Sequence, residues 1–255
     1  MARTYSIEAI ILKKSNFGEA DRLITFLSKY KGKFTSVAKG VRKIASRRGP
    51  NLELFNHVKA YLAAGKNLDV VTEVETIETF KNVKDDFGKV CYGFHLAEIV
   101  NEFLADNQGG TEIFNLLLDT LRLIDKSKDQ RETKKLLCAF ELKLLDHIGF
   151  RPQLDRCLIC DVDVRNGNRL ISPEFGGVVH TSCSVNTLFT KPISSNGLKV
   201  LKFFQREDWP KIERLVVPTN LNSELEQISL FYLEYLLEKE LKSSKFIRQV
   251  KHLSK

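Results

Sequence analysis

Two short pairs of metal-ligating side chains stand out: Cys157-Leu-Ile-Cys160 and, after a gap of 19 residues, His180-Thr-Ser-Cys183. Zinc prefers tetrahedral sulfur and imidazole ligands, and two x₂-spaced pairs present four such ligands from two tight knuckles. The spacing therefore predicts one Zn²⁺ held by Cys157, Cys160, His180 and Cys183. Four protein ligands close the shell, whereas a catalytic zinc keeps a position open for water, so the expected role is structural. A redox Cys-x-x-Cys would open a helix after a strand; this one follows a helix stop at Gly149 and Pro152. The remaining cysteines, Cys91 and Cys138, fall on apolar helical faces and read as core thiols.

A second chemistry is electrostatic. The formal net charge is +8, and residues 1–60 alone hold 13 Lys+Arg against four Asp+Glu. Seven basic residues (Lys31, Lys33, Lys39, Arg42, Lys43, Arg47, Arg48) lie between Lys31 and Leu52 with no acid among them. An excess confined to one segment points to a polyanion partner, nucleic acid first. A second basic stretch ends the chain at Lys242, Lys245, Arg248, Lys251 and Lys255. It extends a DNA track, rings a pocket, or is a frayed solvated end.

Other chemistries lack their signatures. There is no Walker A, no G-x-G-x-x-G opening a helix, no G-x-S-x-G and no H-E-x-x-H. His57, His95, His147 and His252 are scattered with no nucleophile beside them, so the expectation is a protein that is not an enzyme. No apolar run approaches bilayer length, and the N-terminus lacks a signal-peptide core, which makes the cytosol the expected compartment.

The elements that must position these groups change texture near residue 84. Tyr5–Lys13, Asp21–Ser28, Lys33–Lys39, Glu53–Leu62 and Leu68–Thr76 read as strands separated by turn signals. Five strands in this length suit a small barrel of OB or SH3 type. Helical periodicity follows through Phe94–Leu104, Ile113–Ile124, Glu132–Ile148, Asn196–Arg206 and Ser223–Leu241. Asp129 with Glu132, and Ser223 with Glu226, look like N-terminal cap pairs. The polar segment 150–190 is too small to bury a core of its own, the setting in which a metal staple is used. In it, Asn166-Gly167 and Gly176-Gly177 read as the turns that return the second knuckle to the first.

Several motifs occur together: Gly18-Glu-Ala-Asp21-Arg22, Lys39-Gly40-Val-Arg42-Lys43 with Ser46-Arg47, Gly149-Phe-x-Pro152-x-Leu154-x-x-Cys157-x-x-Cys160, and Ser172-Pro173-x-x-Gly176-Gly177. In this combination the chain resembles the RecO family of bacterial recombination and repair mediators over nearly its whole length. His180 stands where zinc-containing members often have cysteine, which gives a Cys₃His shell. The resemblance implies an α+β protein with an OB-fold DNA-binding domain at 1–80, a helical domain at 81–149 and 191–255, and a zinc-finger insert at 150–190. It implies binding of single- and double-stranded DNA, annealing of complementary strands without ATP, and work with RecR to load RecA onto DNA coated by single-stranded-DNA-binding protein (SSB). The acidic, Phe-ended SSB tail would dock in an apolar pocket of the helical domain, and the protein would be cytoplasmic and nucleoid-associated.

Annealing needs phosphate neutralisation and no covalent step. The expected phosphate contacts are Lys13, Lys14, Arg22, Lys39, Arg42, Lys43, Arg47 and Arg48. Phe17 and Phe34 are candidate stacking residues, Phe34 reading more readily as barrel core, and Arg22 has Glu19 and Asp21 as local acids. The competing reading is a zinc-ribbon scaffold whose basic barrel binds a protein without direct DNA contact.

Overall fold

The computed structural model describes residues 4–164, 167–183 and 189–253, and the chain divides into two compact units, 1–126 and 127–255. Asn166 and Lys255, both named above, lie outside the described residues.

In the first unit, β1 (Thr4–Phe17), β2 (Asp21–Ser28), β3 (Gly32–Ala38), β4 (His57–Ala63) and β5 (Val70–Glu78) form a closed barrel in the order β1-β2-β3-β5-β4. All pairings are antiparallel except β3 with β5, which meet in parallel at Val37 and Val70. β1 serves both neighbours: its first half pairs with β4 and its second with β2, and a bulge between Ile11 and Lys13 bends it between them. Alternation then turns Ile7, Ala9 and Ile11 inward to meet Ile24, Phe26, Val58, Leu62 and Val71.

β4 begins at His57, later than the apolar run from Glu53 suggests. Phe55 lies in the left-handed region at φ 69°, which no strand residue adopts. Its N–H donates to Ile11 O and Asn56 O accepts from Ile11 N–H, so this turn carries the β1–β4 pairing one step beyond Ile10 and His57. The buried Phe55 ring, edge-on to Phe94 at 5.4 Å, holds the strained conformation in place.

Three helices complete this unit: α1 (Lys81–Asp85), α2 (Phe87–Phe103) and α3 (Thr111–Lys126). α2 and α3 pack on β1, which is why Ile10 and Leu27, off the barrel core, are still buried. The loop before α3 approaches β3 so closely that a Cβ on Gly32 would sit 2.4 Å from Gln108 O. Only glycine fits there, and its φ of +73° adds the same demand.

An ionic network ties α3 to the barrel. Buried His57 places Nε2 3.0 Å from a Glu8 oxygen and Nδ1 3.4 Å from Glu78, and the Arg122 guanidinium forks onto Glu78 at 2.8–3.1 Å. Burial works against the charged form of both carboxyls. Arg122 and then His57 outweigh it at Glu78, and Lys29 with His57 do so at Glu8, leaving both below the usual carboxylate range. A depressed carboxyl contributes stability that is complete above its ordinary value of 4.5 and is lost as pH falls through the folded value. At this exposure each pair contributes at most about 1 kcal/mol. The melting temperature should fall between pH 5 and pH 3, and Glu78→Gln should fall less steeply over that range. Parallel slopes for the two proteins would remove Glu78 from the explanation.

The second unit contains α4 (Gln130–His147), β6 (Arg169–Ser172), β7 (Gly177–His180), β8 (Lys191–Pro192), α5 (Ser195–Arg206), α6 (Trp209–Arg214), α7 (Thr219–Leu237) and α8 (Lys242–Leu253). The expected cap of α4 is present: Asp129 accepts from Glu132 N–H at 2.8 Å, and Glu132 accepts from Lys128 N–H at 2.8 Å. α7 differs, starting at Thr219 behind Pro218; Ser223 lies inside it and donates to Thr219 O, so it caps nothing. Lys135 of α4 is buried, but its ammonium donates to Glu213 O and Leu215 O, satisfying carbonyls at the end of α6. The C-terminal stretch is helical from Lys242 through Leu253. Among the described residues no helix is long and apolar enough to cross a membrane.

Candidate nucleic-acid interface and metal centre

Most of the expected phosphate contacts gather at the barrel end formed by the β1–β2 hairpin and the loop leaving β3, with Lys13 further along β1 opposite Thr25, while Lys29 and Lys31 follow the other end of β2. Arg22 is the second residue of β2, opposite Asn16 of β1 and Ala38 of β3, and the chain leaves β3 directly into Lys39. The loop from Lys39 to Gly49 then folds back on the β1–β2 hairpin. Asp21 accepts from Gly40 N–H at 2.7 Å, Ala20 O accepts from Arg42 N–H at 2.9 Å, and Gly18 O accepts from the Arg42 guanidinium at 3.0 Å. Val41 is buried in the barrel core. The motif around Asp21 and the motif around Gly40 are therefore each other's hydrogen-bond partners.

The eight expected phosphate contacts fall into two groups. Lys13, Lys39, Arg42, Lys43 and Arg47 are exposed, and four of them (all but Arg42) make no ion pair or side-chain hydrogen bond with the described residues. Lys14 instead pairs with Glu53, and Arg22 faces the same carboxylate at 3.9 Å rather than Glu19 or Asp21. Arg48 is half-buried and donates to Val71 O at 2.6 Å and Lys39 O at 2.8 Å, which fastens the loop to β5 and the end of β3. Of the aromatics, Phe34 is core at 6% exposure and Phe17 stands half exposed at the hairpin. Glu53 and Asp21 organise this rim, the one through Lys14 and Arg22 and the other through Gly40 N–H, and their only mark in the sequence is being acids in a basic region.

In the second unit, the β6–β7 hairpin returns the chain to the first knuckle. A parallel bridge joins Gln153 to Gly177, with Gln153 N–H donating to Gly176 O and Val178 N–H to Gln153 O. A Cβ on Gly177 would sit 2.1 Å from Gln153 O, so glycine is required for the approach. His180 ends β7, Asp161 N–H closes the first knuckle onto Cys157 O, and Cys183 N–H closes the second onto His180 O.

The four ligand atoms of Cys157, Cys160, His180 and Cys183 lie within 4.8 Å of one another. A tetrahedral zinc shell needs sulfur–nitrogen edges of about 3.6 Å; Cys160 Sγ to His180 Nδ1 is 3.4 Å. Burial raises the Cys157 thiol, but backbone N–H groups of Cys160, His180 and Ile159 overcome this and bring it down to about 6. Cys183, beside Cys160 and Cys157, is pushed up. Thiols crowded this way suit a bound cation, which would be held by thiolates and imidazole. The residues present fit a metal ion such as zinc.

A closed five-stranded barrel with exposed cations at one end, followed by a helical unit carrying a Cys₃His cluster that could hold a metal ion, defines an α+β protein. Residues 1–80 match the family profile described as recombination protein O N terminal, and residues 84–245 match recombination protein O C terminal. The chain is 35% identical over 241 residues to the DNA repair protein RecO of Dehalococcoides mccartyi strain 195, covering 94% of this chain and 93% of the relative. It is 32% identical to that of a Roseiflexus species, covering 98% and 87%, and 30% identical to that of a Thermoanaerobacter species, covering 98% and 100%. The chain belongs to the RecO family.

Proposed function

We propose that this protein is a DNA repair and homologous recombination mediator that binds single- and double-stranded DNA through the barrel rim and anneals complementary strands without ATP. The observation that carries the reading is the set of exposed cations Lys39, Lys43 and Arg47 at one barrel end, without side-chain partners among the described residues, with Arg42 beside them and exposed Lys13 further along β1. Lys14 and Arg22 join when phosphate competes with Glu53 for them, and Arg48 positions the loop. The strand order and closure support an OB-type barrel. Neutralising phosphates on two strands lowers their mutual repulsion, and base pairing then drives the product.

Family membership supports the remaining roles: partnership with RecR, docking of the SSB tail, and delivery of RecA to SSB-coated DNA within the RecF pathway. A cytoplasmic, nucleoid-associated location follows from the same roles. On this reading the zinc is structural, stapling the 150–190 insert to the helical domain, and the chain performs no catalysis. The purified protein should accelerate annealing of labelled complementary strands with no nucleotide present, and the acceleration should fall as salt rises. If annealing proceeds at the uncatalysed rate and no salt-dependent DNA binding is measured, the protein-scaffold reading replaces this one.

A further inference from the structure

The far end of β2 borders a second feature that the cationic rim does not use. Asp21 opens the strand at the rim and Ser28 closes it, roughly 23 Å away at about 3.3 Å per residue. There a cleft of about 570 Å³ is lined by Tyr5, Glu8, Tyr30, Lys31, Lys59 and Ile77 among others. That volume lies inside the range of about 300–1,000 Å³ typical of small-ligand sites.

One wall is fixed and the other is open. Tyr5 hydroxyl donates to Asp69, and the Lys31 ammonium donates to Tyr5 Oη at 2.8 Å and Asp69 Oδ2 at 3.0 Å. Lys31 also lies 4.2 Å from the Phe34 ring centroid. Tyr30, also in the lining, is 81% exposed, with Ile77 half exposed. The Lys59 ammonium stands over Tyr61 at 5.3 Å, and Lys29 lies 5.7 Å from the Tyr30 ring. Glu8 is the acid in the lining, and its two oxygens are taken by Lys29 at 3.2 Å and His57 at 3.0 Å.

An exposed aromatic ring, an apolar neighbour and ammonium groups within one cleft match a base with its phosphate. We propose that this cleft takes an unpaired nucleobase of single-stranded DNA, stacked on Tyr30 with the adjoining phosphate facing Lys59. The inference rests on the DNA-binding reading above and adds to it a basis for telling single strands from duplex. A base inside a duplex is already stacked on both faces and paired along its Watson–Crick edge, so it cannot enter.

The test is the affinity of the full chain for a labelled oligothymidylate and for a blunt duplex. Tyr30→Ala should weaken single-strand binding by roughly 5- to 100-fold and leave duplex binding unchanged. Tyr30→Phe should bind both like the parent, since the ring is kept; Lys59→Glu should weaken the single strand. Tyr30 is surface-exposed, so the variants should fold, and an unchanged melting curve checks this. If Tyr30→Ala binds the single strand as the parent does, or loses single-strand and duplex affinity equally, the cleft proposal is overturned while the rim stands. If the parent chain binds neither DNA, the function reading and the cleft fall together.

Discussion

Reversing the charge at Lys39, Lys43 and Arg47 together should lower single-strand affinity by at least about 100-fold at ~0.1 M salt. These three side chains are exposed and have no acid or carbonyl partner among the described residues, so their charge faces solvent and any polyanion that arrives. Each phosphate that is no longer neutralised takes about 0.7 off the log–log salt slope for single strands and about 0.9 for duplex. Three such phosphates should therefore flatten the slope by about 2 and about 2.7 respectively. The needed control carries the same change in net charge elsewhere: Lys81, Lys126 and Lys128, all exposed and outside the barrel strands. If the control loses as much affinity as the rim variant, binding depends on total charge and the rim is not the site. Arg48→Ala should behave differently, because its guanidinium holds Val71 O and Lys39 O. It should loosen the loop and lower stability, with a smaller change in slope than any free lysine.

That contrast marks what was legible in the sequence. Basicity is a property of residue type, so the concentration of charge between Lys31 and Leu52 is visible at once. Which cations are free is not, because their partners are remote: Glu53 is 39 residues from Lys14, and Val71 is 23 from Arg48. The barrel strands were legible through alternation and turn residues. The late start of β4 was not, since the partners of the left-handed Phe55, the Ile11 backbone and the Phe94 ring, are about 40 residues away in sequence. The helices of 81–126 look from sequence like the start of a helical body. Packing on β1 groups them with the barrel in the first unit, and no pattern along the chain records which surface a helix covers. Tyr30 gave no signal at all, being one exposed aromatic in a turn.

The metal ligands were legible for the opposite reason: each pair is local, and only the meeting of the two pairs needs the fold. Cys157→Ser should abolish stoichiometric zinc and destabilise the second unit. The hairpin strands β6 and β7 have four residues each and β8 has two, so beyond the few buried side chains Leu154, Val164, Ile171, Val178 and Val179 a bound metal would be a main staple of this insert. Structural zinc supplies an apparent ~10–16 kcal/mol in finger peptides, and losing one ligand of a closed shell should remove a few of these. For a unit of this size the melting temperature should drop by on the order of 10 °C. Proteolysis should concentrate within 150–190, and chelation of the parent should reproduce both effects. His180→Cys should keep the zinc, because thiolate and imidazole are both competent in a tetrahedral shell. DNA affinity at the rim should stay within about 2-fold of the parent for all these variants, since phosphate neutralisation sets that affinity and none of the rim cations comes from the insert. A Cys157→Ser protein that retains one zinc per chain and its melting temperature would overturn the staple. A protein that loses zinc and DNA binding in step, while still folded, would move the metal from scaffold to interface.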